Sequence, residues 1–93
     1  MEHFADKLRA APQSRLQRGA AAEALGLARE LARWAQAVEE PGTASREMPD
    51  AGMFAVADQI TVAGNDLAVV LKNEAEVGDA VRLVEEAQKR AGV

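Results

Sequence analysis

Side chains that can act as nucleophiles, bases or metal ligands are scarce in this 93-residue chain. His3 is the single histidine and cysteine is absent, so one copy of the chain cannot assemble a catalytic triad or a histidine metal site. Ser14 and Ser45 fit capping and loop roles better than nucleophilic ones. These residue types therefore predict a non-catalytic protein with no cofactor and no bound metal.

Two carboxylate pairs offer a route to hydrolytic chemistry, and they are Glu47 with Asp50 and Glu76 with Asp79. Their i,i+3 spacing resembles the arrangement by which helices of some all-α nucleotide pyrophosphohydrolases present carboxylates to Mg²⁺. The resemblance is confined to these pairs, because no Glu-x-x-Glu pair precedes them. It implies, as a third hypothesis about function, a metal-dependent hydrolase whose carboxylates are assembled across a dimer.

A stripe of arginines follows one side of the first long helix that the sequence predicts. At 100° per residue the four lie within about 60° of one another and span about 27 Å; they are Arg15, Arg18, Arg29 and Arg33. One interpretation is a nucleic-acid-binding face, because guanidinium groups pair well with phosphates. The favoured interpretation is a solvated face, or a face that docks on acids of the last helix, namely Glu74, Glu76, Asp79 and Glu86. The net charge of -4 and the scarcity of aromatic residues argue against nucleic acid.

A second seam lies on the helix predicted for residues 50–72, opposite the side that carries Ile60 and Leu67. Its members are Phe54, Asp58, Val62, Asn65 and Val69. A helix that is apolar on two sides is either the middle of a bundle or a dimer interface. An asparagine in such a seam can pair with its own copy across a two-fold axis and fix the register, or it can mark a kink beside Gly64. We expect Asp58 to be a rim carboxylate paired with an arginine.

Length and composition predict a single small helical domain. A chain of this size buries only about 60–65% of the surface that its unfolded form exposes, so association between copies would add stability. Residues 1–46 carry seven basic and six acidic side chains, whereas residues 47–93 carry four and nine. The N-terminus lacks the apolar run of a signal sequence, and the longest apolar stretch, residues 67–71, is too short to span a bilayer. We therefore expect a cytoplasmic protein that does not associate with membranes.

Helix signals divide the chain into an N-terminal segment (1–13), a long helix (14–40), a loop (41–49) and two further helices (50–72 and 74–91). Pro12 ends the first segment, and Ser14 with Gln17 matches a capping box at the start of the long helix. Asp50 is the predicted N-cap of the next helix, and Asn73 with Glu76 predicts a cap for the last, which Gly92 ends.

The long helix carries an apolar seam with alternating steps of four and three residues: Ala20, Ala24, Leu27, Leu31, Trp34 and Val38. Such spacing keeps one stripe of a helix facing a partner helix, so we expect Trp34 in the core. Gly19 and Gly26 are each unfavourable in a helix, and we attribute them to close neighbours.

Residues 60–71 allow two interpretations. Period two gives two strands, 60–62 and 67–71, around a turn at Gly64-Asn65-Asp66. The helical interpretation is favoured because Asp58 and Gln59 are poor strand residues and because a lone hairpin is only marginally stable.

Taken together, these patterns predict an all-α, three-helix up-down-up bundle with a short N-terminal helical segment, forming a homodimer through helix 50–72. The favoured function is a small interaction or regulatory module that binds another protein, and the alternative is nucleic-acid binding through the arginine stripe.

Overall fold

The computed structural model describes residues 2–42 and 47–92, and helices make up most of both ranges. The helices are α1 (Glu2–Ala10), α2 (Gln13–Arg15), α3 (Ala21–Glu39), α4 (Val56–Val70) and α5 (Glu74–Ala91), and a π-helical segment, Leu16–Ala20, joins α2 to α3. No strand occurs within the described ranges. The all-α class is therefore confirmed, and the segment for which a hairpin was the alternative is helical up to Val70.

The long helix expected over residues 14–40 is interrupted at Gly19, where the structure differs from the prediction. Gly19 has φ 131° and ψ -13°, a conformation that only glycine adopts without strain, and Ala21 N–H bonds to Leu16 O, five residues back. The helical chain begins at Gln13 directly after Pro12, and the Ser14 side chain does not cap it. Gly19 therefore redirects the chain. Its predicted close neighbour is absent, since a Cβ at Gly19 or Gly26 would meet open space.

The chain reaches α4 through turns instead of beginning a helix at residue 50. Asp50 Oδ1 accepts a hydrogen bond from Gly52 N at 2.9 Å, and Gly52 has φ 92°. This local bond competes with helical capping, so α4 begins only at Val56, with Ala55 at the N-cap position. Residues 43–46 of the predicted loop lie outside the described part of the chain.

The termini of α5 follow local sequence signals. Asn73 Oδ1 accepts from Glu76 N at 2.8 Å while its amide donates to the Glu76 carboxylate, so the predicted capping pair is confirmed. Gly92 closes the helix in the left-handed region, at φ 72° and ψ 29°, as the sequence predicts.

The core forms where α3 packs against both α4 and α5, while α1 packs against α4. Its larger buried side chains include Phe4, Leu8, Leu27, Leu31, Val56, Ile60, Leu67 and Val84, with alanines filling most of the rest. The radius of gyration, 12.9 Å, is close to the value of about 12 Å expected for a folded domain of this length.

The seam of α3 is buried only in part. Ala24, Leu27 and Leu31 are buried, but Trp34 is only partly buried and Val38 is 38% exposed. Ala28 and Ala35 are buried in their place, so the covered face is rotated by about 40° from the predicted one. Trp34 thus lies at the edge of the core, and Val38 lies in the last turn of α3, which ends at Glu39.

Candidate functional site

The outer face of α4 consists of Phe54, Asp58, Val62, Asn65 and Val69, and all five are exposed. The exposed fractions of the apolar members are 76% for Phe54, 56% for Val62 and 82% for Val69. Asp58, Val62, Asn65 and Val69 share one side of α4 by their helical spacing, and Phe54 precedes the helix by two residues. Ala57, Ile60, Ala63 and Leu67 occupy the core side.

Asp58 borders this face and is paired with an arginine, as the sequence analysis predicts. Arg9 Nη2 donates to Asp58 Oδ1 at 2.7 Å, and Arg9 Nη1 approaches Asp6 Oδ1 at 3.3 Å. The hydrogen bond that Arg9 donates to Asp58 raises the pKa of the Arg9 guanidinium above its ordinary value. This pair joins α1 to the rim of the outer face and neutralises its single carboxylate.

The four arginines of the predicted stripe do not lie along one continuous helix, and two of them have hydrogen-bond partners. The break at Gly19 separates Arg15 and Arg18 from Arg29 and Arg33. Arg15 Nη1 donates to the Gly92 carbonyl at the end of α5, and Arg29 Nε donates to Met48 O at 2.9 Å with Glu47 Oε1 at 3.3 Å. Arg18 and Arg33 form no ion pair with any residue that the structure describes.

The expected docking of these arginines on the acids of α5 is not observed among the described residues. In the ion pair that joins α3 to α5, the arginine belongs to α5 and the acid belongs to α3. Arg90 Nε donates to Glu23 Oε2 at 2.9 Å. This hydrogen bond raises the pKa of the Arg90 guanidinium. Asp79 pairs with Arg82 within α5 instead.

The carboxylates of the two i,i+3 pairs all have local partners. Glu47 lies beside Arg29, Asp50 closes the turn at Gly52, Glu76 takes part in the cap at Asn73, and Asp79 pairs with Arg82. In the ranges 2–42 and 47–92, no group of three or more histidine, aspartate or glutamate side chains is arranged to hold a metal ion.

A groove between α4 and α5 is the surface feature that the sequence analysis missed. It has a volume of about 310 Å³, and α4 lines one wall while α5 lines the other. Its lining is formed by His3, Phe4, Gly64, Leu67, Ala68, Leu71, Val77, Ala80, Val81, Val84, Glu85 and Gln88. Val77 and Val81 line the groove and are 47% and 48% exposed. Their half-exposure follows from the separation of α4 and α5, which periodicity within one helix does not reveal.

Among the described helices none is both long and apolar enough to cross a membrane. Comparison of the chain with protein-family models, curated proteins and solved structures gives no match.

Proposed function

We propose that this protein is a small non-catalytic interaction module that forms a homodimer through the outer face of α4. The observation that carries the proposal is the exposure of Val62 and Val69 along one side of α4, with Phe54 exposed two residues before the helix begins. Scattered apolar residues are normal on a protein surface, whereas an aligned set that includes an aromatic side chain is typical of an interaction site.

The expected gain from covering this face is substantial for a small protein. Fully burying a valine or phenylalanine side chain contributes about 1.5–3 kcal/mol. In a two-fold symmetric dimer each of the three residues is buried twice, once on each subunit. The helical part of the face, from Asp58 to Val69, spans only about 16 Å at 1.5 Å per residue. An interface of this length lies at the small end of the size range, where association is weak.

Asn65 supplies a reason for a two-fold arrangement. It lies between Val62 and Val69 on the same side of α4 and is exposed. An amide is both donor and acceptor, so two copies of Asn65 that meet across an axis satisfy each other. A polar residue in an apolar helix seam fixes register and oligomeric state in this way.

Asp58 would be unfavourable near a symmetric contact if it were unpaired, because its copy on the other subunit carries the same charge. The Arg9 guanidinium, 2.7 Å from Asp58 Oδ1, offsets that charge within each subunit. In the proposed dimer α3, α4 and α5 follow the up-down-up order, and the two α4 helices pack against each other at the centre.

Sedimentation equilibrium tests the proposal. The wild-type chain is expected to be dimeric at tens of micromolar, and the double variant Val62→Asp with Val69→Asp is expected to be a folded monomer with an unchanged helical circular dichroism spectrum. Val38→Asp is the matched control, since Val38 is an exposed valine on a different helix, and this variant should remain dimeric. A monomeric wild type, or a double variant that still dimerises, would exclude the outer face of α4 as the interface.

A further inference from the structure

The groove between α4 and α5 is an incompletely closed seam of the bundle. Both helices pack against α3, yet they hardly contact each other although only residues 71–73 connect them. Leu67, Ala80 and Val84 are buried at its base, whereas Val77 and Val81 remain half exposed on its wall. A three-helix bundle normally covers such residues by closing its third helix–helix contact. Here that contact is open, and α1 contributes only His3 and Phe4 to the lining of the space that remains.

The shape of the groove fits a helix. Its lining residues on α4 are Gly64, Leu67, Ala68 and Leu71, which follow the i, i+3, i+4, i+7 spacing of one helix side. Those on α5 extend from Val77 to Gln88, about 16 Å at 1.5 Å per residue. Gly64, Ala68 and Ala80 have small or absent side chains, and small residues allow two helix axes to approach closely. Helix-in-groove binding uses surfaces of this kind.

The charge at the edge of the groove indicates what kind of helix fits. Glu85 lines the groove, and Glu74 lies on the same side of α5 as Val81, three residues before the lining begins at Val77; both are exposed. Neither forms an ion pair with any residue in the described ranges. The facing edge of α4 carries Thr61 and Ala68, which are uncharged. An occupant with cationic residues beside its apolar stripe therefore finds two unpaired carboxylates about 16 Å apart.

We propose that the groove between α4 and α5 binds an amphipathic helix of a partner protein, one whose apolar stripe is flanked by lysine or arginine. A second copy of this chain is a poorer occupant, because its large exposed apolar residues have acidic neighbours. Val38 precedes Glu39, the outer face of α4 includes no basic residue of its own, and Val77 and Val81 lie between Glu74 and Glu85.

Two synthetic helices test this proposal directly. Each has about 16 residues, long enough to be helical when bound, with leucines at i, i+3, i+4 and i+7. One carries lysines beside the leucine stripe and the other carries glutamates at the same positions. Fluorescence anisotropy at low salt is expected to show at least about tenfold tighter binding of the lysine helix than of the glutamate helix. The two unpaired carboxylates attract the lysines and repel the glutamates. The preference should shrink as salt is added.

Three variants locate the bound helix. Val81→Asp, at a half-exposed position that tolerates the change, is expected to weaken binding of the lysine helix more than tenfold. Glu74→Lys combined with Glu85→Lys is expected to reverse the preference between the two helices. Val69→Asp is the matched control, because Val69 points to the outer face of α4 and does not line the groove, so the affinity for the lysine helix should change by no more than about twofold.

Several results would overturn the proposal. Absence of binding by both helices, equal binding of both, or loss of binding in Val69→Asp would each do so. Tight binding of dodecanoate that displaces the lysine helix would assign the groove to a small apolar ligand instead. Dissociation of a wild-type dimer by Val81→Asp would assign it to a second copy. The outcomes of the helix-binding measurements do not depend on whether the outer face of α4 forms a dimer.

Discussion

The inward seam of α3 and the outer face of α4 have the same residue spacing, but most of the first is buried and the second is exposed. In α3 the steps of four and three place Ala24, Leu27 and Leu31 in the core. In α4 the same steps place Val62, Asn65 and Val69 in solvent. Ala24, Leu27 and Leu31 are covered because α3 packs against both α4 and α5, whereas the outer face of α4 lies on the side away from α3. Periodicity thus predicts that a helix has an apolar stripe, and the number of neighbouring helices decides whether the chain itself covers that stripe.

The two seams also differ in residue type. The α3 seam contains no charged or amide residue from Ala20 to Val38, while Asp58 and Asn65 interrupt the α4 seam. An unpaired polar side chain in a core is costly, so alternation of valine with polar groups is tolerated at an interface or surface but not inside a small domain. The polar interruptions are therefore the better guide to which stripe remains uncovered.

The largest difference should appear when one apolar residue is truncated in each seam. Leu31→Ala removes a fully buried side chain and should lower the free energy of unfolding by about 2–5 kcal/mol. Val62→Ala, on the outer face of α4, should change it by no more than about 0.5 kcal/mol in the monomer. Urea denaturation followed by circular dichroism at low protein concentration measures both. Similar losses in the two variants would mean that the outer face is already covered within one chain.

The two glycines at the start of the α3 seam provide the next comparison. Gly19→Ala forces a Cβ into a left-handed backbone conformation and should destabilise the protein by about 1–3 kcal/mol. Gly26 has a helical backbone with open space around it, so Gly26→Ala should stabilise by about 0.5–1 kcal/mol. Thermal unfolding should show shifts of opposite sign. Stabilisation by Gly19→Ala would contradict the redirection of the chain at Gly19, and destabilisation by Gly26→Ala would contradict the open space beside Gly26.

The arginines on the far side of α3 give the smallest expected effect. Arg29 Nε donates to Met48 O at 2.9 Å, with its side chain 30% exposed, so Arg29→Ala should cost about 1 kcal/mol. Arg33 is exposed, and Arg33→Ala should cost no more than about 0.5 kcal/mol. Chemical denaturation of the two variants side by side distinguishes them. An equal cost for both would indicate that the hydrogen bond to Met48 does not hold the loop on α3.

Local signals predicted much of the fold. The cap at Asn73 and Glu76 and the stop at Gly92 involve only residues within one turn of each helix terminus, so the sequence alone reveals them. Gly19 was misjudged because glycine suits both a close neighbour and a positive φ, and the residue type does not distinguish them. The prediction for Asp50 was wrong because the same carboxylate can cap a helix or close a turn. Here it accepts a hydrogen bond from Gly52 N and closes a turn.

The surfaces were predictable to different degrees. The residues of the outer face of α4 follow from their spacing and polarity, and the Arg9–Asp58 pair fits the expected role of Asp58. The groove could not be predicted, because it arises from the separation of α4 and α5 on α3 and not from any pattern within one helix. Division of the arginine stripe likewise depends on one backbone angle at Gly19.

Disulfide cross-linking through Asn65 tests the central claim most directly. The chain contains no cysteine, so Asn65→Cys introduces a single thiol. If the outer faces of two α4 helices meet on a two-fold axis at this residue, the two Cα atoms come within about 7 Å and mild oxidation should link the chains rapidly. Ala37→Cys, at an exposed position of α3, is the matched control and should remain largely unlinked. Rapid formation of a covalent dimer by Asn65→Cys alone is the predicted result; equal and slow linking of the two variants would contradict the account.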